Sequence, residues 1–410
     1  MTKDVEPRSR LFARFLRFGL LAWGGPVAQI AMLRRELVDE EQWIPSGRFN
    51  RLLAVYQVLP GPEAHELAVH LGMLRGGRIG GLLAGLGFML PGFVLMFALS
   101  FLYFQIDLTQ AAIGAAFLGV QVAVIALIVR AVQRIGLHIL VSPGLWLIAL
   151  AAGIATLGGV SFWVTLPVAG LAHVVAERTG RRSVYVLAAT AALVALAWSV
   201  AANGFALPAA IGQAPGAQVP TVPAPAAGDA SVVDLFISGL KAGLLTFGGA
   251  YTAIPFVRGD AVGNGWLTDA QFLDGLALSG VLPAPLIIFS TFVGYVAGGP
   301  LGAVAMTAGI FLPAFSFSLV FRERLEAVVE NPGLQRFLEG VAAGVIGLIA
   351  VTAFELAFVV AARLPSLPIG ALIFAAALAV LITARSRAAV PAVLAAAAVA
   401  GWLAFAVLSR

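Results

Sequence analysis

The chain has 410 residues, 60% of them hydrophobic and 11% charged, with a mean hydropathy of +0.99, a balance that excludes an ordinary water-soluble fold. A net charge of +5 and an isoelectric point near 10.1 would suggest nucleic acid in a soluble protein. Here nearly all basic residues are arginines clustered between apolar runs, where they set membrane orientation, so nucleic acid is excluded as a partner.

The amino terminus, Met1 to Arg17, is polar and basic and lacks a small-residue cleavage site, so the first apolar stretch reads as a retained helix. Apolar windows near the spanning length follow at 12–31, 52–72, 79–104, 110–132, 143–158, 160–176 and 184–202, then at 232–256, 270–296, 301–321, 334–362, 366–383 and 388–408. The short pair 143–158 and 160–176 reads either as two spans or as one broken element. The expected fold is an all-α polytopic membrane protein of about thirteen transmembrane helices. Residues 1–202 form an N-terminal membrane domain and 232–410 a C-terminal one. Between them, 203–231 is rich in Ala, Pro and Gly and has no Lys or Arg, as expected of a linker on the non-cytoplasmic side.

With the amino terminus in the cytoplasm, thirteen crossings put Arg75, Arg78, Arg130, Arg134, Arg178, Arg181, Arg182, Arg258, Arg322, Arg324, Arg385 and Arg387 inside and the carboxyl terminus in the periplasm of a bacterial inner membrane. Arg34, Arg35, Arg48, Arg51, Arg363 and Arg410 fall outside; Arg34 and Arg35, with Glu36, are the main discord in this arrangement, and the neighbouring acids Asp39, Glu40 and Glu41 offset them.

The sequence repeats itself. Gly19-Leu20-Leu21-Ala22-Trp23-Gly24-Gly25 matches Gly243-Leu244-Leu245-Thr246-Phe247-Gly248-Gly249. Trp43 then matches Trp266, Leu59-Pro60-Gly61-Pro62 matches Leu282-Pro283-Ala284-Pro285, Gly76-Gly77 matches Gly298-Gly299, and Leu90-Pro91 matches Leu312-Pro313. An odd number of spans separates the copies, which predicts an inverted-topology repeat with broken helices, the usual geometry of secondary transporters.

Gly24, Gly25 and Pro26, Pro60, Gly61 and Pro62, Gly248 and Gly249, and Pro283 and Pro285 interrupt apolar helices at matching places. Such breaks point half-helix amino termini at an anion, although small residues also serve plain helix packing. Lys241 lies seven residues before its Gly-Gly, and Arg17 holds the equivalent place in the first copy. Each reads either as an oxyanion ligand or as a cation reaching a membrane surface. After Pro62, the run Glu63, His65, Glu66 and His70 is unusually polar, with Glu63, Glu66 and His70 on one helical face. It is a candidate for proton coupling, as is Glu355, which an arginine would satisfy equally well. One Glu-x-x-His pair supplies too few ligands for a metal, and nothing in the sequence calls for a cofactor. With no cysteine, disulfides and thiolate metal sites are excluded.

In these residues the chain resembles the long, two-domain members of the chromate ion transporter family. Phe18-Gly19 through Pro26, Leu59 to Pro62, Gly76 to Gly81 and Leu90-Pro91 look like its first-domain signature; Phe247 to Gly249, Ile254-Pro255, Leu282 to Pro285 and Phe311 to Pro313 look like the second. Ala284 stands where the second motif often has glycine. The resemblance implies export of chromate, a dianion shaped like sulfate, by the proton-motive force, with chromate resistance as the phenotype. Chromate or a sulfate-like oxyanion, protons and the lipid bilayer are then the partners, and a homo-oligomer is allowed. The alternatives are a sulfate or other oxyanion carrier, a channel, or an integral membrane enzyme; the last expects a soluble domain or an acidic metal cluster, and the sequence has neither.

Overall fold

The computed structural model describes residues 6–105, 111–180, 183–203, 230–247, 249–320, 331–384, 386 and 388–407, and every regular element among them is helical. The expected break residue Gly248, the core of the linker, and Arg181, Arg182, Arg322, Arg324, Arg385, Arg387 and Arg410 lie outside the described residues. In chain order the helices are α1 (Arg8–Leu20), α2 (Gly25–Arg34, continued by a π-helical turn Arg35–Glu40), α3 (Ser46–Val58), α4 (Glu63–Tyr103), α5 (Ala111–Ile139), α6 (Pro143–Leu157), α7 (Phe162–Thr179) and α8 (Ser183–Asn203). The second half has α9 (Val232–Leu244), α10 (Ile254–Gly263), α11 (Asp269–Gly280), α12 (Phe289–Val320), α13 (Pro332–Arg363), α14 (Leu367–Thr383) and α15 (Ala389–Gly401).

Among the described residues, five segments are long and apolar enough to cross a membrane: Glu63–Tyr103, Ala112–Ile139, Leu286–Val320, Pro332–Arg363 and Ala389–Ala406. Two of these double back on themselves. In α4 the backbone leaves helical geometry at Gly76 (φ −131°, ψ 16°) and Gly77 (φ 61°, ψ −160°), and α12 does the same at Gly298 (φ −151°, ψ 22°) and Gly299 (φ 64°, ψ −156°). Positive φ with ψ near 180° is open essentially to glycine alone, so the glycine pair is what permits the reversal. The arms then touch without side chains between them: a Cβ on Gly72 would lie 2.7 Å from the Gly80 carbonyl oxygen, and one on Gly294 2.3 Å from that of Gly302. Each hairpin has a short arm (63–75; 286–297) and a long arm (78–103; 300–320). A long arm of 26 residues reaches about 39 Å, more than the hydrocarbon thickness.

Four of the expected spans, 12–31, 52–72, 232–256 and 270–296, do not run through; they fold back. Arg14 and Arg17 on α1 pair with Glu36 beyond α2, and the Gln29 amide donates to the Ala22 carbonyl (2.9 Å) across the break. On α3, Tyr56 meets His70 of the short arm of α4 at 2.8 Å, a distance closed to residues fourteen apart on one straight helix. In the second copy Lys241 and Ser238 on α9 both bind Asp260 on α10. The physical reason lies in the breaks: Gly24 and Gly25 both take positive φ (90° and 76°), and a hydropathy window averages over such a reversal without registering it.

The reversal relocates the charges. Arg34 reaches Ser46 (3.1 Å), Arg14 pairs with Glu41, and Arg75 lies over Trp43 (4.8 Å), so the loop carrying Arg34, Arg35, Arg48 and Arg51 sits on the same face as the Gly76–Gly77 turn. Arg258 moves to the opposite face and binds Asp269 and Glu355.

Equivalent residues of the two copies make equivalent contacts. Gly19 abuts Pro91 and the Phe88 carbonyl, and Gly243 abuts Pro313 and the Ile310 carbonyl; Gly87 packs on Phe12 and Leu16, Gly309 on Phe236 and Leu240. The remaining helices interlock the halves. α5 packs against α13, α14 and α15, and α13 packs against α6 and α7. Small residues permit this, as where Gly347 meets the Ala149 carbonyl and Gly119 meets Gly401. Large apolar side chains such as Leu187, Leu301 and Leu372 face outward and are at least 69% exposed, as a lipid-facing surface requires.

Candidate substrate pathway

Breaks of the two copies meet. The Gly61 N–H donates to the Thr246 carbonyl at 2.8 Å, a direct backbone bond between the α3–α4 break and the α9–α10 break. Gly92, midway along the long arm of α4, is packed on Ala284 in the α11–α12 break. Ala284, where the second motif often has glycine, thus meets a glycine on the facing helix.

A cavity of about 930 Å³ runs from the arginine-bearing face to these breaks. Its wall includes Pro26, Glu63, Phe247 and Gly249, while Arg48 and Arg51 of α3 and Arg134 and His138 of α5 are exposed along it. Three guanidinium groups and an imidazole facing one aqueous space form a trap for anions, with bidentate geometry suited to oxyanions. Glu339 also lines the cavity and is 3.4 Å from His173.

Of the break residues expected at a site, Pro26 and Gly249 line the cavity, Gly24 and Gly25 make the turn before it, and Pro60, Gly61, Pro62, Pro283 and Pro285 form the packed backbone behind it. Arg17 and Lys241 are not in its wall. They form matching ion pairs, Arg17 with Glu36 and Lys241 with Asp260, at corresponding positions of the repeat. Sequence reasoning missed Arg48, Arg51, Arg134 and His138; the unexplained arginines in a supposed outer loop were the signal that could have found the first two.

The polar run separates by face. Glu63 borders the cavity and is 8% exposed. Glu66 is fully buried beneath Gly61. His65 is turned between Phe311 and Phe315 (ring centroids 4.9 and 4.8 Å), its Nε2 3.2 Å from the Gly85 carbonyl. His70 meets Tyr56, which Ser318 of α12 also contacts at 3.3 Å. Glu355 is elsewhere, held by Arg258 on the opposite face. On that face Tyr103, Gln121, Asp274 and Arg363, from four different helices, form one network: Tyr103 and Gln121 donate to Asp274 at 2.8 and 2.6 Å, and Arg363 donates to Gln121 at 2.9 Å. Among the described residues no cluster has the donor set of a metal site.

A family model described as "Chromate transporter" matches residues 9–213 and 233–402. The chain belongs to the chromate transporter family. It is 65% identical over 396 residues to a chromate transport protein of Pseudomonas aeruginosa, covering 97% of this chain and 92% of that one. It is 30% identical over 351 residues to a chromate transport protein of Cupriavidus metallidurans (83% and 80% covered), and 29% identical over 347 residues to a probable chromate transport protein of Synechococcus elongatus (82% and 81%). No solved structure matches the chain. Membership in the chromate transporter family, with these relatives, makes the chain a membrane transport protein and not an enzyme.

Proposed function

We propose that this chain is a secondary active transporter that exports chromate across the inner membrane, driven by the proton-motive force. The observation that carries the reading is the cationic cavity ending where the broken helices of both copies meet. A tetrahedral dianion entering between Arg48, Arg51 and Arg134 finds guanidinium donors along its path and the break at its end.

In this reading four hairpins dip into the membrane without crossing, and nine segments cross: the long arms of α4 and α12, α5 to α8, and α13 to α15. The arginine-bearing face is cytoplasmic, as the positive-inside rule asks, which keeps the amino terminus inside and the carboxyl terminus in the periplasm. The copies, in 1–202 and 232–410, are then related as an inverted repeat, since one crossing arm closes each unit and an odd number of crossings lies between them. The cavity opens inward, and the Tyr103–Gln121–Asp274–Arg363 network closes the outer side. Exchange of the two copies' conformations opens the other side. Export is also downhill electrically: about 2.3 kcal/mol per charge at 100 mV, so roughly twice that for a dianion leaving a negative interior.

The test is chromate accumulation in energised inverted vesicles, with excess sulfate as competitor. Gradient-dependent uptake that sulfate suppresses supports a tetrahedral-oxyanion exporter. Uptake untouched by sulfate points to a site selective for chromate, and absence of chromate uptake refutes the reading.

A further inference from the structure

Glu66 sits in the first turn of the short arm of α4 with a relative exposure of 0%, and among the described residues neither of its carboxylate oxygens has a hydrogen-bond partner. A side chain on Gly61 would begin 2.7 Å from Oε1, and Gly61 holds φ 144°, where only glycine is comfortable; the carboxyl thus fills the space under the break. The Gly61 N–H, a donor in this break, is already given to Thr246 of the other copy. The Glu66 main-chain carbonyl accepts from Ser318 (3.3 Å), so this helix turn is tied to α12 as well. An ionised carboxylate without donors in such a place is costly, whereas a neutral carboxyl is tolerated.

We propose that Glu66 is the site that takes up and releases the coupling proton, and that its ionisation works the contact between the two breaks. Protonated, it leaves the Gly61–Thr246 bond intact. On losing its proton, the carboxylate demands a donor and takes the Gly61 N–H from the Thr246 carbonyl, so the exchange of the two copies' conformations stalls until a proton returns, whereas the neutral carboxyl leaves that exchange running. The released proton passes to Glu63, one turn away at the cavity wall, and from there to the aqueous space; uptake reverses the path. The charged and titratable groups around this site are Glu63, His65 and His70 on its own helix and Tyr56 on α3, with Arg48 and Arg51 of α3, Arg134 and His138 of α5, Tyr251 before α10 and Glu339 of α13 along the cavity that Glu63 borders. The arginines of α1, Arg14 and Arg17, are held by Glu6, Glu36 and Glu41, and α12 faces the site with Phe311, Phe315 and Ser318.

The inference rests on the proton-coupled reading above, and the experiment separates the two. In proteoliposomes, chromate counterflow needs no net proton movement, whereas accumulation against a gradient does. Glu66→Gln keeps the shape and removes the proton: counterflow stays within about twofold of the unsubstituted protein and pH-gradient-driven accumulation falls at least about tenfold. Driven accumulation retained in this variant overturns the proposal, as does loss of both modes in protein that elutes as a folded species. If the variant does not fold, Glu66→Asp decides, since it keeps a carboxyl in a different position. A displaced pH profile of accumulation supports the proposal and an unmoved one overturns it. An unsubstituted protein that transports chromate without responding to a pH gradient fails the coupling reading itself, whatever the variants do.

Discussion

Replacing Lys241 by Met tests whether the intramembrane cation serves the substrate or the fold. Its side chain is 17% exposed and that of Asp260 19%, so the pair is mostly withdrawn from solvent, and Ser238 adds a 2.7 Å hydrogen bond to the same carboxylate. Removing one member of a buried pair costs about 3–5 kcal/mol, largely because the other charge is left uncompensated; partial exposure places this case at the lower end, about 2–3 kcal/mol. Arg17, 55% exposed in its matching pair with Glu36, sets the contrast: Arg17→Met costs no more than about 1 kcal/mol. The assay is thermal unfolding of the purified protein in detergent, read alongside the chromate KM. Lys241→Met lowers the apparent unfolding temperature well beyond Arg17→Met, the double variant Lys241→Met/Asp260→Leu recovers most of the loss, and KM in the surviving protein changes by less than about twofold. A stable single variant whose KM rises tenfold or more, unrescued by changing Asp260, would refute the structural role and return Lys241 to the substrate.

Arg51→Gln and Arg134→Gln each raise the chromate KM by roughly 3–10-fold with a smaller effect on maximal rate, and the difference shrinks at high salt because both groups are exposed. The cysteine-free chain allows a direct test of the hairpins. An impermeant maleimide labels Ser46→Cys from the same side as Gln133→Cys and labels Asn264→Cys only from the other side; labelling of Ser46→Cys and Asn264→Cys from the reverse sides would mean run-through spans. Gly77→Ala and Gly299→Ala each destabilise by about 1–3 kcal/mol through backbone conformation alone, since a Cβ meets nothing within 4 Å at either position, whereas Gly259→Ala in α10 is neutral or stabilising in the same unfolding measurement.

The breaks were legible because glycine and proline pairs interrupt apolar runs at matching positions in two copies, a coincidence that plain helix packing explains for one pair but not for four. What followed each break was not. Gly24 and Gly25 permit many paths, and contacts distant in sequence, such as the pairing of Arg14 and Arg17 with Glu36, select the return. The cost of burying acids made Glu63 and Glu66 visible, but their different settings depend on Gly61 and on the cavity wall, which no local pattern encodes. Long-range partners were equally hidden. Asp274 is 171 residues from Tyr103 and 153 from Gln121, and nothing in the periodicity of α4, α5 or α11 joins them.

The acid–imidazole run occurs in one copy alone. Where the first copy has Glu63, His65, Glu66 and His70, the second has Leu286, Ile288, Phe289 and Val293. A transporter assembled from two identical short chains has to carry every titrating side chain twice, and both halves then answer to acidity together. Joining the copies in one polypeptide frees one to sense acidity while the other serves as an inert counterpart, so division of labour between once-identical halves becomes heritable in a single gene.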